Sequence, residues 1–252
     1  MSRTARRLAW VELKLFGREP LTLVFTLLFP LIMLLVLAEV FGTQPQVDDN
    51  GAPVWRGVPP LDFYVPAYVA LVAAAVGLIS LPVHLAAYRE RGVLRRMHAS
   101  GISAATLLTA EVGVAIALAA GGGLLMGIAA AAVYRADAPD RLLPVVAGFV
   151  LVTLCFAAIG VLLGALMPTA RAAQGAGLPL FFTMMLVCGA GPPPEVLTGP
   201  LTVVADALPL TYAVRVIQDQ WLGFGTGWGA IGVTAGILGA CALLGLRLFR
   251  WE

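Results

Sequence analysis

Long apolar runs separated by short polar stretches dominate the chain from Pro20 onward. The first run, residues 21–41, holds one ionisable side chain, Glu39, close to its far end. Because a helix needs about 20 such residues to cross the hydrocarbon core of a bilayer, this length predicts a membrane-spanning helix. The same pattern recurs and predicts six spans in total, at residues 21–41, 63–87, 106–133, 142–167, 173–190 and 228–249.

The composition favours an all-α polytopic membrane protein. Hydrophobic residues make up 60% of the chain and charged residues 12%, against about 45–50% and about 25% in soluble proteins. Six spans and their loops occupy almost all of the 252 residues, so we expect one transmembrane domain over residues 1–252 and no separate soluble domain. Cys155, Cys188 and Cys241 each fall within a predicted span, which favours small packing residues over a disulfide set or a metal site.

The distribution of basic residues predicts the orientation. Loops rich in Lys and Arg stay on the cytoplasmic side of a membrane. If the N-terminus is cytoplasmic, twelve of the 16 Lys and Arg residues lie inside, and only Arg56, Arg135, Arg141 and Arg215 lie outside. With the N-terminus outside, four of these residues would lie inside and twelve outside. We therefore expect both termini in the cytoplasm.

The first eighteen residues carry a basic helical face. On an α-helix, the residues Arg3, Arg7, Lys14 and Arg18 fall within a sector of about 60°. Such a helix at residues 3–18 can lie along the inner membrane interface and reach anionic headgroups, although the same charges also suit an ordinary positive flank. A basic start before an apolar run is also typical of a secretory signal. However, this run exceeds the usual core of about 7–15 residues, so we expect the first span to be retained.

Small residues four positions apart recur in the predicted spans. Pairs such as Gly160 and Gly164, or Gly232 and Gly236, allow helix backbones to approach closely in lipid. Because the sequence contains 28 glycines, such pairs also arise without a dedicated dimer interface. We therefore expect them to pack helices within the chain.

The most informative polar stretch, residues 88–103, joins the second and third spans on the predicted cytoplasmic side. It combines Glu90 with several arginines and with the apolar Val93, Leu94 and Met97. Its residues favour a short helix that ends at Ser100-Gly101, and Ser103 is then placed to cap the start of the third span. Apolar residues exposed on a charged helix indicate docking onto another protein, whereas a loop that only fixes orientation would need no partner.

A second distinctive stretch, residues 192–212, follows the fifth span on the predicted outer side. Its apolar part, residues 196–208, is about 13 residues long and therefore too short to cross a bilayer. Prolines stand on both sides of it. We expect a re-entrant or interfacial segment that dips into the outer leaflet before the last span. The residues that mark this motif are Pro192, Pro193, Pro194, Pro209 and Tyr212.

The sequence lacks a nucleotide-binding loop. That loop requires the pattern Gly-x-x-x-x-Gly-Lys-Ser/Thr, and the single lysine, Lys14, lies between two leucines. If ATP drives transport, its hydrolysis therefore takes place in a separate polypeptide. An ion-coupled carrier would place carboxylates or histidines at mid-membrane. Here Glu39, His84 and Glu111 lie near predicted span ends, where we expect them to be solvated at the interface.

An intramembrane enzyme and a channel are the remaining classes. A metalloprotease needs clustered His and Glu, such as His-Glu-x-x-His, and the sequence has only His84 and His98. Ser80 lies one helical turn from His84, but helical neighbours of this kind arise often by chance. A channel would show a charged or carbonyl-lined filter, for which only the proline-rich turn is available. We expect no cofactor or metal bound by the chain, and no nucleic-acid partner.

With these features in this order, the sequence resembles the permease subunits of type-2 ATP-binding-cassette exporters. In that family the loop after the second span typically reads Glu-Arg-Glu-x-Gly-Thr-Leu, and Glu90, Gly92 and Leu94 match this pattern. Val93 replaces the usual threonine, and Gly101 stands where proline is common. A Gly/Pro break, a short outer helical pair and a Leu-Pro-x-x-Tyr run before the last span also match.

The resemblance implies a partner ATPase that binds ATP and Mg²⁺, and a second permease subunit in a homodimer or heterodimer, both beside membrane lipid. The cargo path would run between the permeases. An apolar lining with few buried charges fits export of a lipophilic drug, antibiotic or lipid, and the preference for arginine over lysine is typical of GC-rich bacterial genomes, which indicates a bacterial plasma membrane. The implied ATPase-coupling residues are Arg89, Glu90, Arg91, Gly92, Val93, Leu94 and Met97.

Overall fold

Helices make up nearly all of the described chain. The computed structural model describes residues 23–42, 44–47, 51, 53–136, 138–139, 141–193, 195, 197 and 199–248. These residues form no β-strand, only an isolated bridge between Val47 and Pro53, so the predicted all-α fold is confirmed. The predicted interfacial helix, with Arg3, Arg7, Lys14 and Arg18, lies outside the described residues, as does Pro194.

The helices follow the predicted order, with a short 3₁₀ turn, Trp55–Gly57, before the second. We number them α1 (Val24–Phe41), α2 (Pro60–Glu90), α3 (Val93–Ala99), α4 (Ala104–Tyr134), α5 (Leu142–Leu166), α6 (Ala170–Val187), α7 (Pro200–Ala207), α8 (Pro209–Trp221) and α9 (Trp228–Leu248).

Five of the helices in the described part of the chain, α1, α2, α4, α5 and α9, are long and apolar enough to cross a membrane. Helix α6 stands at the predicted fifth span. It has 18 residues, and Arg171 and Gln174 make its first turns polar. Helices α7 and α8 are bent by 75° and together form one further candidate span or a re-entrant pair. The structure therefore supports a multi-pass membrane protein, and six spans remain a prediction.

Helix α2 runs through the centre of the bundle. Its most apolar stretch is 89% buried within the chain, against 17% for α9. A π-helical turn, Val76–Ser80, opens the helix just before Pro82. Proline has no N–H to donate to the carbonyl four residues back, here that of Leu78, which loosens the helix locally. The same order occurs in α1, where the π turn Val24–Leu28 precedes Pro30.

Glycines let α5 and α6 lie directly against the backbone of α2. A Cβ at Gly160 of α5 would overlap the carbonyl oxygen of Gly77. A Cβ at Gly177 of α6 would overlap the carbonyl oxygen of Leu78, the group that Pro82 leaves without its usual donor. Gly164 packs against Leu85. The predicted intrachain packing is therefore confirmed for Gly160 and Gly164.

The same prediction is wrong for Gly232 and Gly236 of α9. A Cβ at either position would meet no heavy atom of the described residues within 4 Å. The reason is that α9 packs against α5 and α8 through its other side, where Thr234 and Gly245 are buried. A spacing of four between glycines does not say which face of the helix has a neighbour.

The connecting segments gather at two ends of the bundle. At the first, residues 88–103 meet residues 167–169, because Arg89 donates hydrogen bonds to the carbonyls that close α5. We call this the basic end. At the other, residues 53–58 meet residues 188–227, and the Tyr64 hydroxyl donates to the Gly191 carbonyl over 2.8 Å. We call this the hairpin end, because α7 and α8 lie there.

Cysteine labelling is expected to place the two ends on opposite sides of the membrane. With a membrane-impermeant thiol reagent outside intact cells, Pro192→Cys and Thr226→Cys should both be labelled, and Ser100→Cys should not, because basic loops stay inside. All three positions are exposed. Replacing Cys155, Cys188 and Cys241 with alanine gives the background variant. Labelling of Ser100→Cys would reverse the orientation, and protection of one hairpin position alone would make α7–α8 a true span.

Candidate functional site

The predicted coupling segment forms a turn, a short helix and a second turn. Gly92, with φ 66°, separates α2 from α3. After α3, Gly101 takes φ 77°, and the Ile102 N–H donates to the Met97 carbonyl over 3.1 Å, which is the bond of a Schellman helix end. Proline cannot adopt this positive φ, so Gly101 suits the position where the resemblance would place proline.

The predicted start of the third span is confirmed. The Thr106 N–H donates to the Ser103 hydroxyl over 3.2 Å, so Ser103 caps the first turn of α4. Caps of this kind satisfy backbone N–H groups that have no partner inside the helix. The two turns and the cap hold α3 in a defined orientation at the basic end.

The surface of α3 differs from the expected one. Leu94 is only 1% exposed, so the expectation that it lies exposed for docking is wrong. Val93 and Met97 are half-buried on the same side, because residues three and four positions apart share a helix face, which here lies against the protein. The groups left exposed are mainly basic: Arg91, Arg95, Arg96 and His98.

Arg89 closes the end of α5. Its guanidinium donates to the carbonyl of Ala165 over 3.0 Å and also to that of Gly164. The last carbonyls of a helix have no partner within it, and the negative end of the helix dipole favours a cation there. Arg89 therefore fixes the junction of α2 and α3 to the C-terminus of α5.

Glu90 closes the start of α6. Its Oε2 accepts a hydrogen bond from the Ala170 N–H over 3.2 Å, next to the Thr169 hydroxyl, which accepts from the Ala172 N–H over 3.1 Å. A carboxylate is favourable at the positive N-terminus of a helix. Arg89 and Glu90 thus connect the segment 88–103 to both helices that border residues 167–169. Sequence reasoning missed these partners, since they lie 75 to 80 residues further along the chain.

The proline-marked motif at residues 192–212 lies at the hairpin end, far from the segment 88–103. Pro193 is buried and Pro192 exposed, and Pro209 begins α8. The Tyr212 hydroxyl donates to the Asp206 carbonyl over 2.7 Å, which fixes the bend between α7 and α8.

Two carboxylates at the hairpin end meet Arg56. The Glu195 carboxylate accepts from the Arg56 N–H over 3.0 Å, and Asp219 binds the Arg56 guanidinium over 2.7 Å. Glu195, before α7, and Asp219, in the last turns of α8, therefore both lie at the turn that precedes α2. Nothing local in the sequence pairs Arg56 with two carboxylates that lie more than a hundred residues later.

One carboxylate lies in an unexpected environment. Glu111 is 3% exposed, so the expectation that it is solvated at the interface is wrong. It lies seven residues into α4, about 10 Å along the helix, and lines a cavity of about 10 Å³ with Ser80 and His84. This volume holds at most about one water molecule and cannot admit a substrate. Within the described residues, no group of His, Cys, Asp and Glu could hold a metal ion.

The comparison with known families agrees with the site. A search of curated proteins finds no match to the chain. The family model described as ABC-2 type transporter matches residues 4–220, which include both the segment 88–103 and the proline-marked motif. This match covers well over half of the chain and confirms the resemblance drawn from the sequence. A membrane domain of this family transports and is typically not itself catalytic. The chain therefore belongs to the ABC-2 type transporter family, as a permease subunit.

Proposed function

We propose that this permease exports a lipophilic cargo from a bacterial cell and is driven by a separate nucleotide-binding ATPase that holds ATP and Mg²⁺. The main supporting observation is the placement of α3. It extends from the end of the central helix α2, presents an exposed basic face, and is tied by Arg89 and Glu90 to α5 and α6. The sequence contains no Gly-x-x-x-x-Gly-Lys-Ser/Thr pattern, which supports ATP hydrolysis by a separate subunit.

The docking contact rests on charge. Arg95 and Arg96 are exposed on α3, and Arg91 and His98 lie beside them, so a complementary ATPase surface carries carboxylates and backbone carbonyls. Arginines form charge-assisted hydrogen bonds to such groups that are about twice as strong as neutral ones. The buried Leu94 serves a different purpose, since it keeps α3 packed against the permease.

Movement of α3 reaches the spans through the two caps. Because Arg89 and Glu90 bond to backbone atoms of α5 and α6, a displacement of the α2–α3 junction changes the ends of both helices. The glycine contacts at Gly160 and Gly177 leave no gap between these helices and α2. Close-packed elements of this kind transmit small shifts as rigid bodies.

The apolar surface supports the proposed cargo and the proposed second permease. Exposed side chains such as Leu28, Ile32 and Val36 lie four residues apart on one face of α1, and Leu124 and Ile128 are exposed in the same way on α4. Membrane lipid and a second permease subunit, identical or homologous, cover such a surface. A path between two permeases lined in this way suits a drug, an antibiotic or a lipid. Both termini lie in the cytoplasm of this arrangement, and α7–α8 dip into the outer leaflet.

An ion-coupled carrier is the second candidate, and the buried Glu111 beside His84 is the observation that favours it. The two candidates differ in their energy source. In inverted membrane vesicles, ATP should drive uptake of a fluorescent lipophilic dye in the presence of a protonophore. Uptake that requires an ion gradient and not ATP would contradict the proposed function.

Glu90→Ala is expected to uncouple transport from ATP hydrolysis. Loss of a helix cap costs about 1 kcal/mol, which is too little to unfold a protein but shifts a two-state equilibrium about fivefold. The ATPase should still bind and hydrolyse ATP, while dye moved per ATP falls severalfold. Glu39→Ala, at an exposed carboxylate of the hairpin end that accepts from Tyr134, is the matched control. Wild-type transport by Glu90→Ala would show that the cap does not transmit movement.

A further inference from the structure

A cavity of about 400 Å³ opens at the hairpin end. It lies between the 3₁₀ turn before α2, the end of α6, and the α7–α8 pair. Its size falls within the range of about 300–1,000 Å³ typical of small-molecule sites. Val187, Leu197 and Val214 supply an apolar wall, and Arg56 and Glu195 supply charges.

The rim of the cavity is built from a strained turn. Trp55 and Arg56 take φ values of 52° and 57°, a region that costs side-chain-bearing residues roughly 1–3 kcal/mol each and persists only where surrounding contacts hold it. The Trp55 indole donates to the Tyr64 hydroxyl over 3.2 Å, and the Arg56 guanidinium stacks on Phe224, 4.4 Å from the ring centre. Strain of this kind is concentrated at ligand clamps and switches.

The charges around the cavity do not cancel. Arg56 is paired with Asp219 over 2.7 Å, and Arg215 with Asp206 over 3.7 Å. Glu195 accepts a backbone N–H from Arg56, but in the described part of the chain no side-chain cation pairs with it. Because Asp219, which lies outside the lining, pairs with Arg56 and Asp206 pairs with Arg215, Glu195 is the lining carboxylate that no side-chain cation of the described residues neutralises.

We propose that this cavity binds an organic monocation, an ammonium group with an apolar body, with Glu195 as its counter-ion. The apolar wall receives the body of the cation. Such a cation is either cargo that leaves through the permease or a ligand that arrives from outside the cell. The binding site itself does not depend on the proposed export function, because the cavity lies within one permease chain.

Binding is tested with purified permease in lipid nanodiscs, by calorimetric titration with benzyltrimethylammonium. We expect saturable binding that weakens about threefold to tenfold in Glu195→Gln, as for a partly exposed ion pair in an apolar setting, and no binding of benzenesulfonate. Glu39→Gln, which changes a carboxylate away from the cavity, should bind like wild type. Thr202→Trp, at an exposed position of the lining, should fill the cavity and abolish binding.

Absence of saturable binding, equal affinity of Glu195→Gln and wild type, or equal binding of the sulfonate would overturn the proposal. A melting temperature close to that of wild type confirms that each variant is folded. The same cation then tests the source in vesicles that contain the complete transporter. ATP-driven movement identifies it as cargo, and binding without movement identifies an external ligand. If no cargo of any kind moves with ATP, the export function fails while the binding result stands.

Discussion

Gly160→Val is expected to destabilise the permease strongly, and far more than Gly236→Val. A Cβ at Gly160 would overlap the Gly77 carbonyl oxygen, and a Cβ at Gly77 would overlap that of Phe156. Both clashes involve backbone, so no side chain can rotate to relieve them. Overpacking costs about 1–3 kcal/mol where side chains can adjust, and we expect at least the upper value here, which lowers the melting temperature by roughly 10 °C in a chain of this size.

The matched control is Gly236→Val. It makes the same substitution in another apolar helix, at a position where a Cβ meets nothing within 4 Å of the described residues. Its melting temperature in detergent, followed by fluorescence-detected size exclusion, should stay within about 2 °C of wild type. Equal losses in the two variants would mean that helix propensity, and not the contact between α2 and α5, explains the effect.

Local sequence was sufficient for the parts of the fold that depend on local chemistry. The stop at Gly101 and the cap at Ser103 follow from the conformational freedom of glycine and from hydrogen bonds over three residues, and the structure has both. Apolar length likewise predicted the position of the long helices. A family resemblance then added the order of the motifs, which composition alone does not provide.

Contacts between distant segments could not be read from the sequence. Arg89, Glu90 and Arg56 each bind partners at least 75 residues away, and each looked like an ordinary loop charge. The burial of two side chains could not be predicted for the same reason. Leu94 lies in a charged segment and Glu111 lies near the end of a predicted span, yet the packing of neighbouring helices buries both. The open glycines of α9 are the reverse case, since no helix of the described residues covers that face.

Arg95→Gln combined with Arg96→Gln is expected to release the ATPase. Both side chains are exposed on α3, and a hydrogen bond from a charged group contributes about 1.5–3 kcal/mol. Loss of both should therefore weaken the complex at least tenfold. The permease should still insert, because ten basic residues would remain on the predicted cytoplasmic side against four outside. Leu94→Asp is a poorer test, since it places a charge at a site that is 1% exposed and would disrupt α3 itself.

The control for this pair is Arg135→Gln with Arg141→Gln, which removes two exposed arginines from the hairpin end. Both double variants carry the same change in net charge. Surface expression and a reporter fused after Glu252 verify amount and orientation. Any difference in ATPase binding between the two double variants then depends on where the arginines lie and not on how many are removed.

Co-purification of the ATPase with these two variants, together with ATP-driven dye export, shows whether the ATPase docks on the basic face of α3. We expect Arg95→Gln/Arg96→Gln to lose most of the bound ATPase and its export, and Arg135→Gln/Arg141→Gln to keep both at wild-type levels. Full retention of the ATPase and normal export by Arg95→Gln/Arg96→Gln would contradict this expectation, and would reduce the segment 88–103 to a basic linker that only orients the chain.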